Sequence, residues 1–138
     1  MAITVNGMDE VLRKLEKLSN QSHVEGIAKK AVNAAKSQVV SSMKSALSAS
    51  ETGPHATGSV AASVSPTEAK VNSYGVYSVA RPTGRDSKGE RNGAKAAYLE
   101  YGTQRMAARP WRSQAVASAE SACIKTMENI VKSEMQLD

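Results

Sequence analysis

The sequence predicts an α+β fold: a small antiparallel sheet packed against two long helices, with a short N-terminal strand and helix in front. Three observations carry that expectation. Apolar residues recur at helical spacing over two long stretches, one from Val24 to Leu47 and one from Pro110 onward. Between them lie short runs of β-branched and aromatic residues bounded by Gly, Pro, Asn and Ser, the composition of strands and turns. The 138 residues show no internal repeat, heptad array or break in composition, so the elements are expected to form one domain over 1–138.

Residues 2–5 read as a short strand, with Asn6-Gly7 as punctuation. Met8, Val11, Leu12, Leu15 and Leu18 then recur at intervals of three and four, which is one amphipathic helix. The polar run 19–23 breaks that pattern. Val24, Ile27, Ala31, Ala35, Val39, Met43 and Leu47 trace a second stripe of about six turns. Its alanines and serines would let a neighbouring helix or sheet approach closely. Residues 48–58 hold Gly53, Pro54 and Gly58 and read as a loop, followed by expected strands at 60–64, 69–72 and 74–80. Tyr98, Leu99 and Tyr101 also favour strand, so a strand is expected to end at Tyr101, turn at Gly102 and lead to a helix with Pro110 in its first position. Ala115, Ala119, Ala122, Met127, Ile130 and Val131 carry that helix onward, with fraying expected before Asp138.

The chain contains no Phe, and its aromatics are Trp111, Tyr74, Tyr77, Tyr98 and Tyr101. A core of Ala, Val, Leu, Ile and Met follows. A buried large aliphatic side chain contributes about 1.5–3 kcal/mol and an alanine much less, so a protomer rich in alanine is expected to draw part of its stability from neighbours. The formal net charge is +5. Residues 81–95 concentrate it: Arg81, Arg85, Lys88, Arg91 and Lys95 stand against Asp86 and Glu90, with three glycines and no large apolar side chain. That segment is expected to be a mobile basic loop. No apolar run approaches the ~20 residues that span a bilayer, and the N-terminus lacks a signal-peptide pattern, so the protein is expected in the cytoplasm when made. The single cysteine, Cys123, suits a reducing compartment and excludes an intrachain disulfide.

Chemistry is sparse. His23, His55 and Cys123 have none of the spacings that gather a metal, Cys123 sits in an alanine-rich helix as a small apolar residue, and no phosphate-binding glycine loop occurs. The expectation is no catalytic set, no metal and no cofactor. Glu100 stands beside the Gly102 turn, as a general base or, in the plainer reading, as the partner of a nearby arginine or a neighbouring subunit. The segment Glu100, Tyr101, Gly102, Thr103, Arg105, Met106, Arg109, Trp111 and Arg112 combines Arg, Met and aromatic residues in the proportions of protein interfaces, and is the candidate subunit or partner contact. Within it, Trp111 could instead anchor the last helix inside its own chain. Arg85, Lys88, Arg91 and Lys95 have two readings, contact with DNA phosphates from a lumen or groove, or a solvated hairpin tip.

Two runs carry a resemblance. Tyr98-Leu-Glu-Tyr-Gly-Thr103 followed by Ala108-Arg-Pro-Trp111, and Pro54-His-Ala-Thr-Gly-Ser-Val-Ala-Ala-Ser-Val64, resemble in content and order the tail-completion family of bacteriophages, which includes tail-component and head–tail joining proteins of lambda-like long-tailed phages. The likeness covers nearly the whole chain, with one departure at Val60, where the family usually has a bulkier aliphatic residue. It makes Thr57, Gly58, Glu100, Tyr101, Gly102, Thr103 and Pro110 motif positions. It implies a structural virion protein of the phage neck, a homo-oligomeric ring and by family resemblance a hexamer. The ring would complete the tail end and join it to the head connector, against tail terminator or tail tube proteins, with assembly in the host cytoplasm and no membrane contact. The rival reading is a nonspecific nucleic-acid-binding protein that uses the basic loop.

Overall fold

A computed structural model describes residues 8–135. The strand expected at 2–5 and the fraying expected before Asp138 lie outside the described residues. The fold is α+β, with helices α1 (Met8–Ser19), α2 (Gln21–Ser50), α3 (Ser59–Ala62), α4 (Asn92–Tyr101) and α5 (Arg112–Met135). The strands are β1 (Val64–Pro66), β2 (Lys70–Asn72), β3 (Gly75–Tyr77) and β4 (Ala80–Pro82).

α2 is as long as its apolar stripe. Asn20, in extended backbone, caps it by accepting the His23 N–H at 3.2 Å, and Glu51 closes it by donating its N–H to Leu47 O at 2.7 Å. α5 runs antiparallel to it. Lys30, early in α2, pairs with Glu134 at the end of α5 (3.1 Å), whereas farther along α2 Ala35 O meets Cys123 (3.7 Å) and Gln38 Nε2 donates to Thr126 Oγ1 (2.8 Å), both nearer the start of α5. Ala31, Ala35, Ala115 and Ala119 are buried along this helix pair, where small side chains permit close approach. The main core lies at the C-terminal end of α2. There Met43, Leu47, Val60, Val64, Leu99 and Trp111 pack together, with Leu47 and Val60 wholly enclosed.

The strands form two antiparallel ladders rather than one sheet. β1 pairs with β4 (Val64 opposite Pro82, Pro66 opposite Ala80), and β2 with β3 (Val71 opposite Val76). The run expected as a strand at 74–80 is broken because Thr67 holds it. Thr67 exchanges backbone and side-chain hydrogen bonds with Val79, and Ser78 Oγ donates to Thr67 O, which ends β3 and starts β4 on a different partner.

Four further expectations are corrected. Residues 60–64 are not a continuous strand: Gly58, left-handed at φ +73, leads into the single turn α3, which buries Val60 and Ala61 together before β1 begins. The tyrosines of 98–101 lie in α4 rather than in a strand. Ala94, Lys95, Ala96 and Ala97 supply helix propensity upstream, and Asn92, Ala96 and Leu99 are buried at a spacing of four and three. Pro110 precedes α5 without entering it; Trp111 O accepts the first helical N–H, from Ala115, at 2.9 Å. The segment 81–95, expected as a loop, contains the end of β4, a hairpin and the first turn of α4. The hairpin is bonded internally, with Asp86 N–H donating to Glu90 O at 2.9 Å, an Arg85–Arg91 bridge, and Asn92 Nδ2 donating to Thr83 O at 2.8 Å.

Candidate functional site

The segment from Glu100 to Arg112 is a joint between two helices, and its polar groups are assigned by the helix ends it meets. α4 stops because Gly102 takes φ +77, ψ 177, a conformation open only to glycine, while its N–H closes the helix on Tyr98 O at 2.8 Å. Space makes the same demand. A Cβ at this position would lie 2.8 Å from Ala108 N and 2.9 Å from Met106 O. Thr103 and Met106 then pair across a tight turn, with Thr103 Oγ1 accepting the Arg105 N–H at 3.2 Å, which leaves Arg105 exposed at the tip. Met106 folds back onto the core.

Glu100 caps α5. Its Oε2 accepts the N–H groups of Trp111 (2.9 Å) and Arg112 (3.1 Å), so a carboxylate from α4 sits on the positive end of α5. The bonds that this oxygen makes are to the backbone at the start of α5 and not to an arginine side chain. Arg109 does the reverse for α2, donating from Nη1 to Ser50 O (3.1 Å), Thr52 O (3.2 Å) and Thr52 Oγ1 (2.9 Å) at that helix's negative end. Trp111 is 4% exposed and donates its indole N–H to Ala96 O at 2.9 Å. Its ring is a core element inside the protomer, the second of the two readings of Trp111, and anchors α5 against α4. Tyr101, Thr103, Arg105 and Arg112 stay at the surface. Arg112 Nη1 donates to the Tyr101 hydroxyl at 3.1 Å, with its guanidinium 5.7 Å from the centres of both the Tyr101 and Trp111 rings.

Of the four basic residues expected at a DNA or lumen contact, Arg85 and Arg91 line one groove and Lys88 and Lys95 do not. Lys95 belongs to α4 and forms an ion pair with Asp86. Its hydrogen bond holds the Asp86 carboxyl below the usual carboxylate range, and the same bond raises Lys95. Arg85 Nη1 donates to Gly89 O at 2.7 Å, and Lys88 is exposed on the hairpin. Arg85 and Arg91, with Arg81, border a broad open groove that sequence reasoning did not anticipate.

That groove has a volume of about 1310 Å³ and runs between α5 and the β4–hairpin–α4 wall. Val39, Met43, Ala96, Trp111 and Ala119 lie along its floor, and Val116, Glu120, Ile124 and Met127 of α5 form one side. Val116 and Ile124 are 61% and 46% exposed. Their spacing on α5 was the available sequence signal, hidden because only the alanine stripe beside it was read as a core face. Cys123 also lines the groove, buried as expected of a small apolar residue, and burial pushes its thiol up. His23, in the first turn of α2, and His55, beyond its C-terminal end, are both exposed and lie at opposite ends of that helix, which its 30 residues make roughly 45 Å long. No group of three metal-ligating side chains occurs among the described residues, and none of their helices is long and apolar enough to cross a membrane. Comparison with protein-family models, curated proteins and solved structures returns no match to this chain.

Proposed function

We propose that the protein is a structural component of a bacteriophage neck, a ring of identical subunits that completes the tail end and joins it to the head connector. The observation that carries the reading is a protomer left open on one side. An apolar groove of about 1310 Å³ stands beside an exposed Tyr101–Arg112 pair and the Arg105 tip, while much of the buried core is alanine. Large apolar surface rimmed by arginine and tyrosine suits contact with other protein subunits. The two motif runs supply the phage assignment. The glycine turn at 102 and the Thr57–Gly58 turn each have a defined backbone task, consistent with motif positions kept for shape rather than for chemistry. No reaction is part of this function.

The test is made in particles. A phage carrying a stop codon in this gene should accumulate filled heads and free tails that do not join, and antibody against the protein should label the neck of wild-type particles. Joined, infectious particles lacking the polypeptide would remove the proposal. The nucleic-acid reading keeps one supporting observation, the three arginines 81, 85 and 91 along one groove wall. DNA retention that disappears in an Arg81→Gln/Arg85→Gln/Arg91→Gln variant of unchanged oligomer size would favour it.

A further inference from the structure

The hairpin from Gly84 to Arg91 forms part of one groove wall yet takes no part in the core. Gly84, Arg85 and Arg91 line the groove, and no residue from Gly84 to Arg91 is buried. The order of the hairpin is internal. Asp86 Oδ1 accepts the N–H groups of Lys88 (2.9 Å) and Glu90 (2.8 Å), Asp86 N–H donates to Glu90 O, and Arg85 Nη1 donates to Gly89 O. A segment bonded in this way moves as one piece.

Its base is fixed and its body is held at one point. Thr83 donates its N–H (3.1 Å) and its hydroxyl (3.0 Å) to Ser63 O, and the buried Asn92 donates to Thr83 O and Gly84 O. Just beyond that base, Gly84 has φ +71, and Arg91 is extended with no side-chain hydrogen bond to cap α4. The residues bridged across the stem are Arg85 and Arg91, and like charges set opposite each other weaken such a closure. Among the described residues, the side-chain bond from Asp86 to Lys95 is the one that ties residues 84–91 to another element.

That pair can part without leaving a bare charge, which is the condition for a latch rather than a fixed strut. Asp86 keeps the two N–H groups on Oδ1. Three carboxylates act on the Lys95 ammonium: Asp86 and Glu90 leave with the hairpin, while Glu51 stays at the end of α2, and the Lys95 side chain is 23% exposed to water. We propose that residues 84–91 are a hinged gate on the groove, turning about Gly84 and Arg91 and latched by the Asp86–Lys95 ion pair. Latched, the hairpin supplies part of the wall opposite α5; released, it carries Arg85 away and opens that side of the groove. Acid, which protonates Asp86, or a charged group that takes either partner, releases it. The gate belongs to the protomer and is independent of what fills the groove.

The experiment measures the distance across the gate. In the full chain with Cys123→Ala, the exposed Ser87 on the hairpin and Ser118 on α5 are changed by Ser87→Cys and Ser118→Cys and carry nitroxide labels, whose separation is read by pulsed electron paramagnetic resonance. At neutral pH the distribution should have one dominant narrow peak. Lys95→Met removes the ammonium and leaves the bonds within the hairpin, so the ratio of a longer-distance population to the main peak should rise about fivefold. Lys95→Arg keeps a cation and should return the distribution to that of the parent. Circular dichroism and urea unfolding check the fold of each variant, and if Lys95→Met does not fold, Asp86→Asn, which keeps the Oδ1 acceptor and removes the charge, takes its place. An unchanged distribution in the latch variant overturns the gate, as does a parent already as broad as that variant. A broadening that persists in Lys95→Arg overturns it too, because the charge at 95 is then not what holds the hairpin. Each of these results leaves the neck assignment to its own test in particles.

Discussion

Gly102 and Gly58 both have positive φ, yet they should respond differently to the same substitution. At Gly58 (φ +73, ψ 1) a methyl group meets open space, so Gly58→Ala costs only the left-handed backbone, about 1 kcal/mol. At Gly102 the extended ψ excludes other residues, and the methyl group would press on the backbone of 106–108, so Gly102→Ala should cost about 3 kcal/mol. Urea unfolding of the two variants measures the difference; equal losses would show that the turn relaxes. Glu100 and Arg109 make a second residue-scale test. Glu100→Gln keeps an acceptor for α5 but removes the charge, at about 0.5–1 kcal/mol, whereas Glu100→Ala leaves two N–H groups uncapped, at about 1–2 kcal/mol. A direct catalytic role would make the Gln and Ala variants equally inactive without this graded loss of stability. The glycine turn was legible in the sequence because glycine is named by backbone need alone. The tasks of Glu100 and Arg109 were not, since each acts on the end of a helix that another part of the chain supplies.

At the scale of elements, long periodic segments were readable and short ones were decided by their neighbours. α2 and α5 follow from stripes that extend over many turns. α4 did not, because Tyr98 and Tyr101 favour strand while the four residues from Ala94 to Ala97 favour helix, and burial of Asn92, Ala96 and Leu99 on one face resolves the conflict. The basic hairpin was misjudged for a related reason. Its lack of large apolar residues left polar bonding as its means of order, and sequence alone does not reveal that Asp86 turns inward to Lys95 and to the N–H groups of Lys88 and Glu90. This pairing predicts a pH window. Asp86 is lowered, so its contribution is present above about pH 4 and is lost as pH falls through the lowered value; Lys95 is raised, so its contribution is present below about pH 10 and is lost as pH rises through the raised value. The protection factors of the amides in residues 84–92, which divide out the intrinsic pH dependence of exchange, should therefore hold across neutral pH and fall in acid, with Asp86→Asn lowering them at pH 7. Unchanged exchange in that variant would mean that the backbone bonds hold the hairpin without the ion pair.

At the scale of the whole molecule, what the sequence concealed was two exposed apolar surfaces, a helix face on α1 and a groove along α5 from Arg112 to Met127. Neither is visible as a site until the chain is folded, because Val116 and Ile124 look like surface accidents and the leucines of α1 look like core. Salt separates the two activities that such a molecule could have. Self-association through the exposed apolar side chains of the groove, Val116 and Ile124, would be driven mainly by apolar burial, so raising salt from 50 to 500 mM should change the self-association constant by no more than about tenfold. Phosphate contacts by Arg81, Arg85 and Arg91 release counterions instead. Three such contacts give a slope of about −2.7 in log affinity against log salt on duplex DNA, a loss of about 500-fold over the same range. Sedimentation and DNA retention at both salt concentrations, on one preparation, should therefore show an oligomer that persists while any bound DNA is released. An oligomer that dissociates with the same steep slope would move the subunit contact from the apolar groove to the arginines of its rim.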